Sequence, residues 1–211
     1  MSFAAWLSVA TICVLGAMTP GPSLAVVLRY SVGQSRQAGF ACALAHGLGI
    51  GFYAVITMTG LGILFQTVPV FHNAVSILGA LYLIWLAIKA WRAAGSGAKF
   101  NVDGTAKLSG SIGQAARDGF MIAFLNPKIA LFFLALFSQF VSPEFEWSGK
   151  FLLAFTAAAI DAGWYCLVAI GLSHGAVLPW LRDHAAWIER IIAILFVLIA
   201  LRVLWGVTAL G

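Results

Sequence analysis

Apolar residues in this chain fill whole segments instead of marking stripes along them. Six such runs stand at about 3–30, 38–66, 69–92, 119–141, 149–174 and 187–210. Each approaches or exceeds the roughly 20 mainly apolar residues that one bilayer crossing needs. Hydrocarbon offers no partners to backbone N–H and C=O groups, so each run must satisfy its own as a helix. A barrel would show short alternating strands, and stretches such as Ile191 to Leu201 do not alternate. The pattern predicts an all-α polytopic membrane protein with six transmembrane helices. A five-span or shifted arrangement stays open, because the first run is long and interrupted.

Turn residues and charge separate the runs. Gly33-Gln34-Ser35-Arg36 ends the first, Pro69 opens the third, Pro143 and Glu144 end the fourth, and Pro179 divides the last two. One long connection, about 93–118, holds Gly95-Ser96-Gly97, Asn101-Val102-Asp103-Gly104 and Ser109-Gly110-Ser111 and reads as a polar loop. The whole chain, 1–211, is therefore one transmembrane domain. A first three-span repeat covers about 1–92 and a second about 119–211.

Composition removes the soluble alternative. The chain is 62% hydrophobic and 9% charged, whereas a soluble domain is about a quarter charged. Its net charge of +5 does not point to nucleic acid, because the basic residues cluster at span ends. Arg29, Arg36, Lys89, Arg92, Lys99, Lys107, Arg117 and Arg182 fall on one side, against Lys150 and Arg202 on the other. The positive-inside rule puts the first group and the 93–118 loop in the cytoplasm and both termini outside. No Lys or Arg precedes the first run, so that run reads as a retained span and not a signal peptide.

Three prolines lie inside spans. In Thr19-Pro20-Gly21-Pro22-Ser23 both prolines lack an N–H, and Thr19 and Gly21, each before a proline, are pushed away from helical ψ. About one turn should unwind. In Asn126-Pro127-Lys128, Asn is a strong N-cap and Pro suits the first helical position. A new half-helix should begin there, with a cation beside it. An odd number of spans per half gives the halves opposite senses of insertion. Broken helices at matching places in two such halves are the mark of inverted-repeat transporters. Half-helix N-termini near Pro22 and Pro127 would suit a carboxylate, with Lys128 reinforcing them.

Asp161 sits mid-span, where a carboxylate is rare and usually functional. It is a candidate proton carrier, a partner for a substrate ammonium or for Lys128, or a structural acid paired with a neighbour. His46, roughly its counterpart in the second span, is a weaker candidate for proton coupling and otherwise a hydrogen-bonding strut. Gly39, Ala43, Gly47 and Gly51, and Ala154, Ala158 and Ala162, form small-residue ridges that let helices approach. Tyr53, Tyr82 and Tyr165 read as packing residues or cavity walls. Arg182, Asp183, Glu189 and Arg190 read as an interfacial cluster. Cys13, Cys42 and Cys166 read as small buried hydrophobes. No ligand spacing calls for a metal or other cofactor, and no Gly-x-x-x-x-Gly-Lys-Ser/Thr loop for ATP.

Gly16-Ala17-Met18-Thr19-Pro20-Gly21-Pro22-Ser23 resembles the first-span signature of the LysE/RhtB family of amino-acid exporters. Gly79 to Lys89 resembles that family's third span, Asn126 to Phe133 its fourth, and Asp161 before Trp164-Tyr165 its fifth. The resemblance covers essentially the whole chain. It implies a bacterial inner-membrane exporter of amino acids or derivatives, driven by the proton-motive force. It also implies that the Thr-Pro-Gly-Pro and Asn-Pro-Lys segments line the path. The residues themselves favour a neutral amino acid, since few intramembrane acids are present to meet a cationic one. They also admit a transporter of another small solute or ion, or a non-transporting helper subunit. No nucleophile or metal constellation supports an enzyme. The expected partners are a small-molecule substrate and the lipid bilayer, with room for a homo-oligomer.

Overall fold

A computed structural model describes residues 2–19, 21–67, 70–95, 110–138, 140, 145–173 and 177–209. Pro20, Pro69, Lys99, Lys107, Pro143, Glu144 and His174 lie outside these residues, as does 96–109 of the long loop. So do the side chains of His72, Pro179, Trp180, Arg182 and Arg202.

The described residues form eight helices and no strand: α1 Phe3–Met18, α2 Pro22–Gly33, α3 Arg36–Thr67, α4 Val70–Gly95, α5 Ile112–Phe124, α6 Pro127–Phe137, α7 Trp147–Ser173 and α8 Val177–Ala209. α3, α4, α7 and α8 are each long and apolar enough to cross a membrane. The pair α1–α2 is bent by 60° and α5–α6 by 52°; counted as one span each, they bring the total to six. Both bends fall at the proline motifs. α5 begins at Ile112 and not at 119, because the Ser111 hydroxyl accepts a hydrogen bond from the Gln114 N–H. A Ser-x-x-Gln pattern of this kind suits a helix start, and it extends the helix through polar residues that precede the apolar run. α8 likewise begins before the run at 187.

Two helix pairs pack most extensively, α3 with α7 and α4 with α8, and α5 lies along α3. Leu83, Leu86 and Ala87 of α4 meet Ile192, Ala193 and Phe196 of α8 in one apolar cluster. A second cluster joins α1, α3, α6 and α7 around Val9, Met58, Phe137 and Leu153. Large side chains on the outer faces, such as Leu78, Phe155 and Leu167, are exposed, as lipid contact requires. The Tyr30 hydroxyl donates to Asp118 Oδ2 at 2.5 Å, tying α2 to α5.

The small ridges meet. A methyl group built on Gly47 would lie 2.6 Å from Ala162 Cβ and 2.8 Å from the Ala158 carbonyl oxygen. One on Gly51 would lie 3.2 Å from Ala158 Cβ. α3 and α7 therefore touch through backbone and methyl groups. Overpacking such a contact costs about 1–3 kcal/mol. Gly47→Ala is expected to lose that much stability, read as a lower melting temperature in detergent. Gly60→Ala, where an added methyl meets nothing within 4 Å, is expected to lose none.

Candidate functional site

The first break is built by missing donors. α1 ends at Met18; the Thr19 N–H reaches back to Leu15 and Gly16, and its hydroxyl donates to the Leu15 carbonyl at 2.9 Å. Gly21 is extended, and α2 starts at Pro22 with no side-chain cap. The first backbone bond of α2 runs from the Ala25 N–H to the Gly21 carbonyl, so the Ser23 and Leu24 N–H groups precede the intrahelical ladder. The second break is closed differently. Asn126 Oδ1 accepts from the Lys128 N–H at 3.0 Å, and Pro127 takes the first helical position. The N-terminus of α6 thus has a side-chain cap and that of α2 has none.

The two breaks meet. A methyl group built on Gly21 would stand 3.8 Å from Lys128 Nζ. The ammonium of the second break therefore lies over the backbone of the first. Thr19, Gly21, Pro22, Ser23, Asn126 and Lys128 all line one cavity. His46 and Asp161 line it too, and Phe132, Phe133 and Phe196 supply apolar wall. Pro127 lines an adjoining cavity, and Pro20 lies outside the described residues. The predicted site residues that the structure describes thus gather around one space and its neighbour.

His46 and Asp161 are partners. Nδ1 of His46 stands 2.6 Å from Asp161 Oδ2, with both residues buried. Gly47 and Ala162, each next in sequence to one of the pair, lie against each other where α3 packs on α7, and this brings the two side chains within reach. Lys128 is therefore not the carboxylate's ion-pair partner. With Asp161 ionised, Nδ1 donates to it. Nε2 of His46 is then the free ring nitrogen, buried without a hydrogen-bond partner. The Tyr165 ring stands edge-on to His46, 5.0 Å between centroids, and Tyr165 and Ser23 both line the central cavity.

Comparison with known proteins identifies the chain. The sequence model for LysE type translocators matches residues 14–206. The chain belongs to the LysE type translocator family. A homoserine/homoserine lactone efflux protein of Salmonella typhi is 29% identical over 163 residues, 76% of this chain and 77% of that protein. A leucine efflux protein of Klebsiella pneumoniae subsp. pneumoniae is 27% identical over 161 residues, 75% of this chain and 73% of that protein. An uncharacterized membrane protein of Haemophilus influenzae is 25% identical over 199 residues, 90% of this chain and 91% of that protein. No solved structure gives a significant match.

Some features of this LysE-type translocator escape the sequence pattern. Glu189 is not a solvated side chain: it is 9% exposed and lines the adjoining cavity with Tyr82, Trp85, Lys89 and Lys128. Tyr82, Trp85 and Lys89 recur at helical spacing on one face of α4, a signal that was present but reads equally well as packing. Tyr53 does pack, against Phe124 and Phe133, while Tyr82 and Tyr165 are cavity walls.

Proposed function

We propose that this LysE-type translocator is a secondary active exporter of neutral amino acids or close derivatives, exchanging them for protons across a bacterial inner membrane. One observation carries the reading: the uncapped N-terminus of α2 and the Lys128 ammonium face the same cavity. The positive end of a helix without a side-chain cap and a cation together suit a carboxylate. The cavity's phenylalanines suit an apolar side chain. Efflux of leucine and of homoserine by relatives, as their names state, supports a neutral amino acid as cargo.

The Asp161–His46 pair takes the proton role. It borders the substrate space, holds one exchangeable proton between two ionisable groups, and keeps a free ring nitrogen beside the cavity. In this reading the chain is not an enzyme and needs no cofactor.

Its six spans form two inverted three-helix repeats, α1–α2 with α3 and α4, and α5–α6 with α7 and α8. The extensive α3–α7 and α4–α8 contacts support this, since each joins helices at the same position in the two halves. The bias of basic residues along the sequence supports a cytoplasmic 93–118 loop with both termini outside.

Efflux from cells preloaded with labelled amino acids tests the proposal. Cells carrying the protein are expected to lose one or a few neutral amino acids faster than control cells, and an uncoupler is expected to abolish the difference. No faster loss of any amino acid, with the protein verified in the membrane, would move the function to another solute or to a helper role.

A further inference from the structure

The adjoining cavity extends from the first break toward the Gly95 end of α4. It shares Thr19, Gly21, Pro22 and Lys128 with the central cavity. Its wall carries a buried acid. Glu189 is 9% exposed and its Oε2 has no hydrogen-bond partner, which is costly for an ionised carboxylate. Lys128 lines the same cavity as Glu189. Among the described residues, however, no ion pair within 4.0 Å joins them. Lys89 does not close on the acid either; its ammonium sits over the Trp85 ring, 5.2 Å from the centroid. Trp85 stacks on Tyr82 at 5.5 Å, giving the cavity an aromatic face.

A buried acid and a half-buried cation that line one cavity without pairing are complementary to a ligand that carries both charges. We infer that this cavity is a holding subsite for a zwitterionic α-amino acid, in which Glu189 accepts the ammonium, Lys128 meets the carboxylate and the Tyr82–Trp85 face covers the side chain. The inference rests on the amino-acid exporter reading and adds the group that recognises the amine. Asp161, already bonded to His46, is left free for the proton. Lys128 belongs to both cavities, so the carboxylate can stay on it while the ammonium leaves Glu189 for the central space.

Purified protein in proteoliposomes tests this, with labelled leucine and homoserine as probes. Each is competed by itself and by its α-hydroxy analogue, which has a hydroxyl where the ammonium was. Wild-type protein is expected to prefer the amino acid by about tenfold or more, the effect of one charge-assisted hydrogen bond, and E189Q to bring the two within about twofold. A merely structural Glu189 would change the rate or the yield of folded protein, not this preference. E189Q that transports with wild-type preference overturns the subsite. Should E189Q not fold, Glu189→Asp decides, since it keeps the charge but withdraws it by one methylene: a reduced preference supports the subsite and an unchanged one overturns it. Wild-type protein that moves no amino acid overturns the exporter reading, and this inference with it.

Discussion

Asp161→Asn is expected to reduce proton-driven export to the level of empty liposomes while exchange of labelled for unlabelled substrate continues. Asparagine nearly matches aspartate in size, and its carbonyl oxygen can still accept from His46 Nδ1, now 2.6 Å from the carboxylate. The α3–α7 contact through Gly47 and Ala162 is untouched. Exchanging a charged for a neutral acceptor should cost less than about 3 kcal/mol, the upper end for a hydrogen bond to a charged group, so the variant should fold. What it loses is the ionisable carboxylate of the pair. A cycle that returns a proton for each substrate cannot then be completed, but one-for-one exchange needs no proton.

The measurement is uptake into proteoliposomes under an imposed pH gradient, run beside counterflow with no gradient. Loss of both activities would assign Asp161 to the substrate's ammonium. Survival of gradient-driven transport would make the pair a strut between α3 and α7.

The features legible in the sequence are those imposed by covalent structure or by the cost of charge in hydrocarbon. Pro22 and Pro127 lack an N–H in any surroundings, so α2 and α6 begin where the prolines stand. Asp161 stands out because an acid in lipid is expensive wherever it points.

The partners were not legible, because packing chooses them. Lys128, a substrate ammonium and a neighbouring side chain were equally open partners for Asp161. The choice of His46 follows from which small ridge meets which, and spacing along one helix does not contain that. Glu189 shows the same limit. Beside Arg182, Asp183 and Arg190 it reads as part of a wet helix end, because a run of charges averages over all helix faces. α8 instead continues through the run, and successive side chains point about 100° apart. Glu189 is buried while its neighbour Arg190 is exposed. The uncapped N-terminus of α2 was half legible: Gly21 has no side chain to cap it, but that Lys128 would lie over it depends on the meeting of the two breaks.

Lys128→Met tests that meeting. The substitution keeps an unbranched apolar stem and removes the ammonium. It leaves the cap intact, because Asn126 Oδ1 is bonded to the backbone N–H of residue 128 and not to its side chain. Helix α6 should therefore start where it does now, and losses in transport can be traced to the missing charge. A charge-assisted hydrogen bond contributes about 1.5–3 kcal/mol, so the KM for the exported amino acid is expected to rise by about 10- to 150-fold. The α2 N-terminus is still without a side-chain cap and still positive, which keeps the defect short of complete loss.

A control separates carboxylate binding from general damage. The substrate's decarboxylated amine has nothing to offer Lys128, so it should compete no less well against the variant than against the wild type. If amine and amino acid weaken together, Lys128 shapes the cavity without holding the carboxylate. If neither weakens, the cargo's negative end lies elsewhere, and the place where the two broken helices meet is not where the substrate binds.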